Sequence, residues 1–227
     1  MLCAICVFAQ SPTPDPTKQL WASISASFEL GERTRVAATA EKHDGEEGGR
    51  VQRMVGAIFS YRMKRFGKHL TGEVDQENQY NLVLGAGYEF VQTGQNGGIK
   101  NEHRLVLEST PKYVIGLGIL AQDRNRAEFL WIAGTYDFRY RNRLTVERPL
   151  RLKKLRLSPF VAGELFWDRN SHSWNQNQYA FGIQWPIRKV FKFNTYYLRQ
   201  NCTTCSTDPL DVLGLTANFY FDWPRKR

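Results

Sequence analysis

Apolar and polar residues alternate along most of this chain with a period of two. From Gln19 to Leu30, residues Leu20, Ala22, Ile24, Ala26, Phe28 and Leu30 share one parity, and Gln19, Trp21, Ser23, Ser25, Ser27 and Glu29 share the other. Successive side chains of a strand point to opposite faces, so the pattern predicts a strand with one greasy face and one wet face. The same alternation predicts strands at 34–42, 51–63, 79–92, 102–115, 119–131, 136–148, 155–168, 176–185, 190–200 and 211–221. In the last of these, Leu213, Leu215, Ala217, Phe219 and Phe221 oppose Gly214, Thr216, Asn218 and Tyr220. A sheet that closes on itself must pair its last strand with its first, because an open edge in lipid leaves backbone groups unsatisfied. Asp211 to Phe221 is the natural seam.

These segments predict an all-β fold, a single up-and-down antiparallel transmembrane β-barrel. Barrels made from one bacterial chain use even strand numbers. The polar, weakly patterned segment Lys68 to Gln76 is therefore taken as a strand too, which gives about twelve strands, with ten as the alternative. With both termini at the periplasmic side, loops 169–175 and 201–209 face outward from the cell. The tight turns 116–118 and 186–189 then face the periplasm.

The wet parity decides which face is inside. It repeatedly carries Arg and Glu together, where an ordinary water-facing strand scatters its polar residues and often uses Lys. The residues expected to line the lumen, as a binding surface or a structural network, are Glu29, Arg35, Glu41, Arg62, Glu89, Arg104, Glu108, Arg124, Arg126, Glu128, Arg139, Arg141, Arg143, Glu147 and Glu164. Neighbouring strands can join such residues in forked Arg–carboxylate pairs. A narrow polar lumen needs that neutralisation, since an unpaired enclosed charge is costly. A charged sheet face in water is the alternative reading. Asp123 and Asn125 fall on the greasy parity, which fits lipid badly unless that stretch lies beyond the hydrocarbon.

Composition narrows the class further. No run of about 18 apolar residues exists to make a membrane-spanning helix. The mean hydropathy of -0.47 is compatible with a barrel, which gives lipid only alternate residues. An aromatic share of 13% suits strands and interfacial girdles. The net charge of +9 raises nucleic acid as a partner, but the basic residues are spread along strands and share a parity with Glu, so none is expected.

Residues 1–9 are short and apolar and read as a secretory signal, with the true start of translation possible upstream; residues 10–18 read as a flexible segment. The barrel then covers 19–221, and 222–227 form a C-terminal extension. Cys202 and Cys205 sit in a polar loop with no second pair to complete a zinc site, so a small loop disulfide in an oxidising compartment is expected. No metal and no cofactor are expected.

The runs Glu102-His103-Arg104, Arg124-Asn125-Arg126-Ala127-Glu128 and Arg139-Tyr140-Arg141-Asn142-Arg143 resemble the spine of domain of unknown function family 2490. Glu164-Leu165-Phe166, Gln176-Asn177 and Tyr196-Tyr197-Leu198-Arg199-Gln200 are similar to its later strands, so the resemblance runs from about Trp21 to Phe221. The family is regarded as a bacterial outer-membrane β-barrel. The resemblance therefore implies that location, with outer-membrane lipids and the barrel assembly machinery as partners. It carries no activity and no catalytic residues. One departure is the run DWPRKR after Phe221, where strands of this kind usually end on the final aromatic.

Three functions remain in view. A narrow or occluded channel, or a purely structural barrel, is favoured; if open, its excess of Arg and Lys prefers small anionic solutes. An outer-membrane barrel enzyme, lipase- or protease-like, would need a nucleophile, base and orienting group within reach. His172 and Ser173 are adjacent and point apart in extended chain, and Asp168 lacks a second acid nearby, so no catalytic residues are assigned. A soluble secreted β-sandwich would instead use Trp131, Trp167, Trp174, Trp185 and Trp223 as a ligand or carbohydrate platform; in a barrel they form an interfacial girdle.

Overall fold

The computed structural model describes residues 17–45, 51–63, 81–95, 98–115, 117–152, 155–188, 190–203 and 209–222. Every regular element among them is a strand. They are β1 (Thr17–Glu29), β2 (Thr34–Gly45), β3 (Val51–Met63), β4 (Leu82–Gln95), β5 (Gly98–Ile115) and β6 (Ile119–Ile132). After them come β7 (Thr135–Glu147), β8 (Leu150–Leu152), β9 (Leu155–Asp168), β10 (Ser173–Arg188), β11 (Phe191–Cys202) and β12 (Leu210–Asp222).

Each stave pairs antiparallel with the next in sequence until the last, which returns to the first and closes the sheet. Asp211 to Phe221 is indeed the seam. β8 is not a separate stave. Glu147 faces Phe160 and Leu150 faces Leu157 on the same β9, in one continuous register. Pro149 lies in the gap, and proline has no N–H to give to the ladder. β7 and β8 are thus one stave interrupted at a proline, and the barrel has 11.

An odd number of alternating strands forces the first and last to run the same way. β1 and β12 are parallel, in register from Thr17↔Leu210 to Glu29↔Asp222. The expectation of antiparallel pairing throughout fails at this one seam, and with it the placing of both chain ends at one side. The barrel begins at one rim, here the head end, and finishes at the other, the tail end. Lys68 to Gln76 lies outside the described residues. Yet β3 pairs directly with β4 from Val51↔Gly94 to Met63↔Leu82, so no stave stands between them.

The sheet's polarity is inverted relative to a protein cored by oil. Ile24, Val55, Phe59, Leu84, Val161, Phe181 and Leu213 are exposed on the outside, Phe181 by 59%. Arg35, Arg62, Glu89, Arg126, Glu128, Glu147 and Glu164 are buried inside. Aromatic side chains collect near both rims of the outer wall. Trp131 packs with Tyr136, and Trp174 with Tyr140, toward the head end. Phe28 packs with Phe221, and Phe191 with Phe219, toward the tail end. Of the tryptophans expected in a girdle, Trp223 lies outside the described residues. Trp21, on the wet parity of β1, faces inward and stacks on His43 at 3.9 Å.

Where a large side chain lies along the inner wall, the neighbouring staves give way with glycine. Tyr196 of β11 faces Gly182 on β10 and Gly214 on β12. A Cβ on Gly214 would overlap the Tyr196 ring, and one on Gly182 would stand 2.6 Å from Tyr196 Cβ and 2.9 Å from Phe160 Cε1, besides striking the Thr195 carbonyl. Backbone cannot swing aside as a side-chain tip can. Gly182→Ala should therefore cost about 1–3 kcal/mol, the usual penalty of overpacking. The check is the urea midpoint of the detergent-solubilised barrel followed by circular dichroism; an unchanged midpoint would show that the interior has room.

Candidate lumen site

The alternation that folds the staves also aims their charges. On β6, Arg124, Arg126 and Glu128 share the inner parity, and on β7 so do Arg139, Arg141 and Arg143. Antiparallel register sets Glu128 beside Arg139, Arg126 beside Arg141, and Arg124 beside Arg143. Those last two pairings place like charges side by side. They are tolerated because carboxylates from the flanking staves reach between them.

Glu128 is fully buried, at 0% exposure. Its Oε1 accepts a hydrogen bond from Arg141 Nη1 at 3.0 Å and lies 2.8 Å from Arg126 Nε. Glu164 Oε1 accepts from Arg141 Nε at 2.8 Å and from Arg124 Nη2 at 2.9 Å, and its Oε2 is 3.5 Å from Arg143. Glu89 accepts from Arg126 Nη2 at 2.5 Å and lies 3.8 Å from Arg104, which also binds Glu102. Glu108 is 3.7 Å from Arg126. Arg139 is 3.5 Å from Asp168. Phe166 supports the Arg141 guanidinium from 4.6 Å, the geometry of a cation–π contact.

This belt spans β4, β5, β6, β7 and β9. The opposite wall answers it with Glu41 on β2, within Coulombic reach of Arg104 and Arg141, and with Tyr196, within reach of Arg143 and Glu41. Glu41 also holds His43. A separate knot near the tail end joins Glu29 to Arg35 at 2.7 Å and to Arg62 at 3.0 Å. Glu147 accepts from Gln184 at 2.8 Å. Of the residues expected to line the lumen, Arg35, Arg62, Glu89, Arg104, Arg126, Glu128, Glu147 and Glu164 are buried, some in the belt and the others toward the tail end.

Some interior partners were not singled out from the sequence. Lys112 and Lys192 are buried on the inner face, and Gln184 and Asn194 line the tail-end half with them. Their parity was the available signal. Trp21, Ala180, Leu198 and Val212 form a small apolar plug toward the head end, which a search for charges alone passes over.

The awkward polar residues of the outer wall find one another. Asn142 Nδ2 donates to Asp123 Oδ1 at 2.7 Å and to Asn125 Oδ1 at 3.0 Å, and Tyr140 Oη donates to the same Asn125 oxygen at 2.5 Å. Asn125 stands midway along β6, so the stretch is part of the wall and not an extension past it.

Asp168, His172 and Ser173 lie close together at the turn between β9 and β10. Ser173 Oγ donates to Ser171 Oγ at 3.2 Å, while His172 occupies a left-handed turn at φ 48° and its ring makes no described hydrogen bond to Ser173. Asp168 caps the same turn by accepting from the Asn170 N–H at 2.9 Å. Cys202 is disulfide-bonded, and Cys205 lies outside the described residues. No group of three or more potential metal ligands occurs among the described residues.

A single closed sheet with its charges sealed inside and its apolar side chains turned out defines a β-barrel, not a two-sheet sandwich. The chain belongs to the family described as protein of unknown function DUF2490, whose model matches residues 18–210. No curated protein matches it.

Proposed function

We propose that this protein is an integral outer-membrane barrel, occluded in its resting state by the Arg/Glu belt. The observation that carries the reading is the inverted wall: Glu128 and Glu164 are 0% and 2% exposed, while Ile24 and Leu213 are 51% and 55% exposed. Burying ionised groups and exposing oil is unfavourable in water and favourable only where lipid meets the outside. Exposed Trp131, Tyr136 and Trp174 toward the head end, and exposed Tyr61 and Tyr113 toward the tail end, support the same orientation, since Trp and Tyr collect at membrane interfaces. A closed sheet leaves no unpaired edge, as hydrocarbon demands.

Barrels of about 8 strands are filled by their own side chains, and those of 16–18 hold a water channel. Eleven staves fall between, and here long charged side chains meet across the middle. The barrel is therefore a closed wall whose interior can pass small anions only when the belt rearranges. The protein should fractionate with outer membranes, require detergent, and migrate differently on gels before and after heating. In planar bilayers it should give no steady conductance, and any voltage-induced openings should favour anions. Solubility without detergent, or cation-selective openings, would contradict the reading.

A further inference from the structure

We propose that the β8–β9 hairpin at the tail end docks on anionic phospholipid headgroups of the bilayer surface around it. The proposal deepens the barrel reading and rests on it. Residues 148–157 read RPLRLKKLRL, five basic residues and four leucines with no acid among them. Elsewhere Arg alternates with Glu along the inner parity, so this run stands apart. Its two arms pair as Leu150↔Leu157, Arg151↔Arg156 and Leu152↔Leu155. The ladder between β6 and β7 ends at Leu120↔Glu147, and that between β10 and β9 ends at Gln184↔Ser158. The hairpin therefore extends past the pairing of both neighbouring staves.

Parity carries the two-faced pattern of the wall into this extension. Leu155 and Leu157 keep the outer parity of Val161 and Leu165 on the same stave, and Leu155 is exposed as they are. Arg156 takes the opposite parity and is exposed as well. Arg148 is exposed at the foot of the hairpin, its N–H bonded to the Pro159 carbonyl. Lys153 and Lys154 come between the two arms in the sequence and lie outside the described residues. A ribbon that is apolar on its lipid side and cationic beside it matches the boundary between acyl chains and headgroups.

The occupant must offer two things at once. The leucines call for hydrocarbon, and the arginines beside them call for anionic oxygens. A phospholipid supplies both, an acyl chain along the wall and a phosphate above it. Guanidinium groups match phosphate oxygens through paired N–H donors. Long cationic side chains also lay their stems along apolar surface while their heads reach the polar layer. A nucleic-acid duplex has the phosphates without the hydrocarbon. A zwitterionic headgroup carries the phosphate too, but its ammonium cancels the charge. An anionic surface gains about fivefold in association for each Lys or Arg held near it.

Native mass spectrometry of the full-length barrel, released from a non-ionic detergent, tests this with phosphatidylglycerol and phosphatidylcholine of the same acyl chains. Phosphatidylglycerol should bind at least about fivefold more tightly, with the margin shrinking as ionic strength rises. The Arg148→Gln/Arg156→Gln variant should lose most of that preference, a drop of at least about fivefold. Arg33→Gln removes an exposed cation at the β1–β2 turn of the same rim and should leave the preference as it is. If the double variant does not fold, Arg156→Gln alone is read the same way. Heat-shifted migration establishes folding in each case. The hairpin site is overturned, and the membrane reading left intact, by equal binding of the two lipids or by a preference that survives in the folded variant. An equal loss in Arg33→Gln, or displacement of the lipid by a short DNA duplex, does the same. A protein soluble without detergent overturns both, since the leucines would then have no bilayer beside them.

Discussion

The Glu128→Gln variant should lose about 3–5 kcal/mol of stability, the typical cost of breaking a buried ion pair by removing one partner. The substitution preserves shape, so no cavity is made and the loss reports charge. Glu128 is where Arg126 and Arg141 meet, with Arg139 a further 3.9 Å contact. With the carboxylate gone, Arg141 keeps Glu164 as its ion-pair partner among the described residues, and already shares it with Arg124 and Arg143. Arg126 falls back on Glu89 and the more distant Glu108. Water cannot readily hydrate guanidinium groups in this packed section. Urea unfolding in lipid vesicles reads the loss directly. Adding Arg141→Met removes one stranded cation and should recover part of it, giving a coupling well above the roughly 0.5 kcal/mol seen between independent sites. Strict additivity would mean that the belt is a set of isolated pairs.

The belt was legible because parity is a strong signal. In RAE and RYRNR each charged residue is two positions from the next, and a strand cannot send such residues to different faces. Closure was legible too, from the alternation and terminal aromatics of β12. The number of staves was not. It depends on whether Met63 pairs with Leu82 or with something between them, a nonlocal choice that weak patterning at 68–76 cannot express. The rule of even numbers then tipped the count away from eleven and hid the parallel seam. Along that seam Ser23 faces Thr216, Ile24 faces Ala217, and Ser25 faces Asn218, in a register that no local pattern specifies.

Pairing across staves also explains what looked wrong in isolation. Asp123 and Asn125 violate the greasy parity when β6 is read alone. Beside β7 they have partners, Asn142 and Tyr140, that satisfy them within the sheet. Hydrogen bonding offsets much of the cost of polar groups on an apolar surface. Likewise Gly182 and Gly214 look like weak points until Tyr196 is seen to occupy the room they leave. Sequence patterning gives each stave its faces, and only register says which exceptions compensate one another.

Arginine placed on the outer wall should divide lipid from water as the surrounding medium. Ile24 lies near the middle of β1, between Ala217 and Ala40, with its side chain exposed. Ile24→Arg should cost about 2–4 kcal/mol in folding into lipid vesicles, the penalty for a charge at the midplane of a barrel's lipid face. Ile99 also faces outward but stands at the head-end rim, beside Gly94. Ile99→Arg should cost only about 0–1 kcal/mol, because near the interface the side chain reaches water. A wall bathed in water predicts no such gradient: both changes would stay within about 0.5 kcal/mol, as surface substitutions usually do. The depth dependence is the decisive part, because misfolding or lost packing would not follow distance from the rim. Equal and small penalties at both positions would put the oily face in contact with solvent or protein, and the sealed charges would then need another explanation.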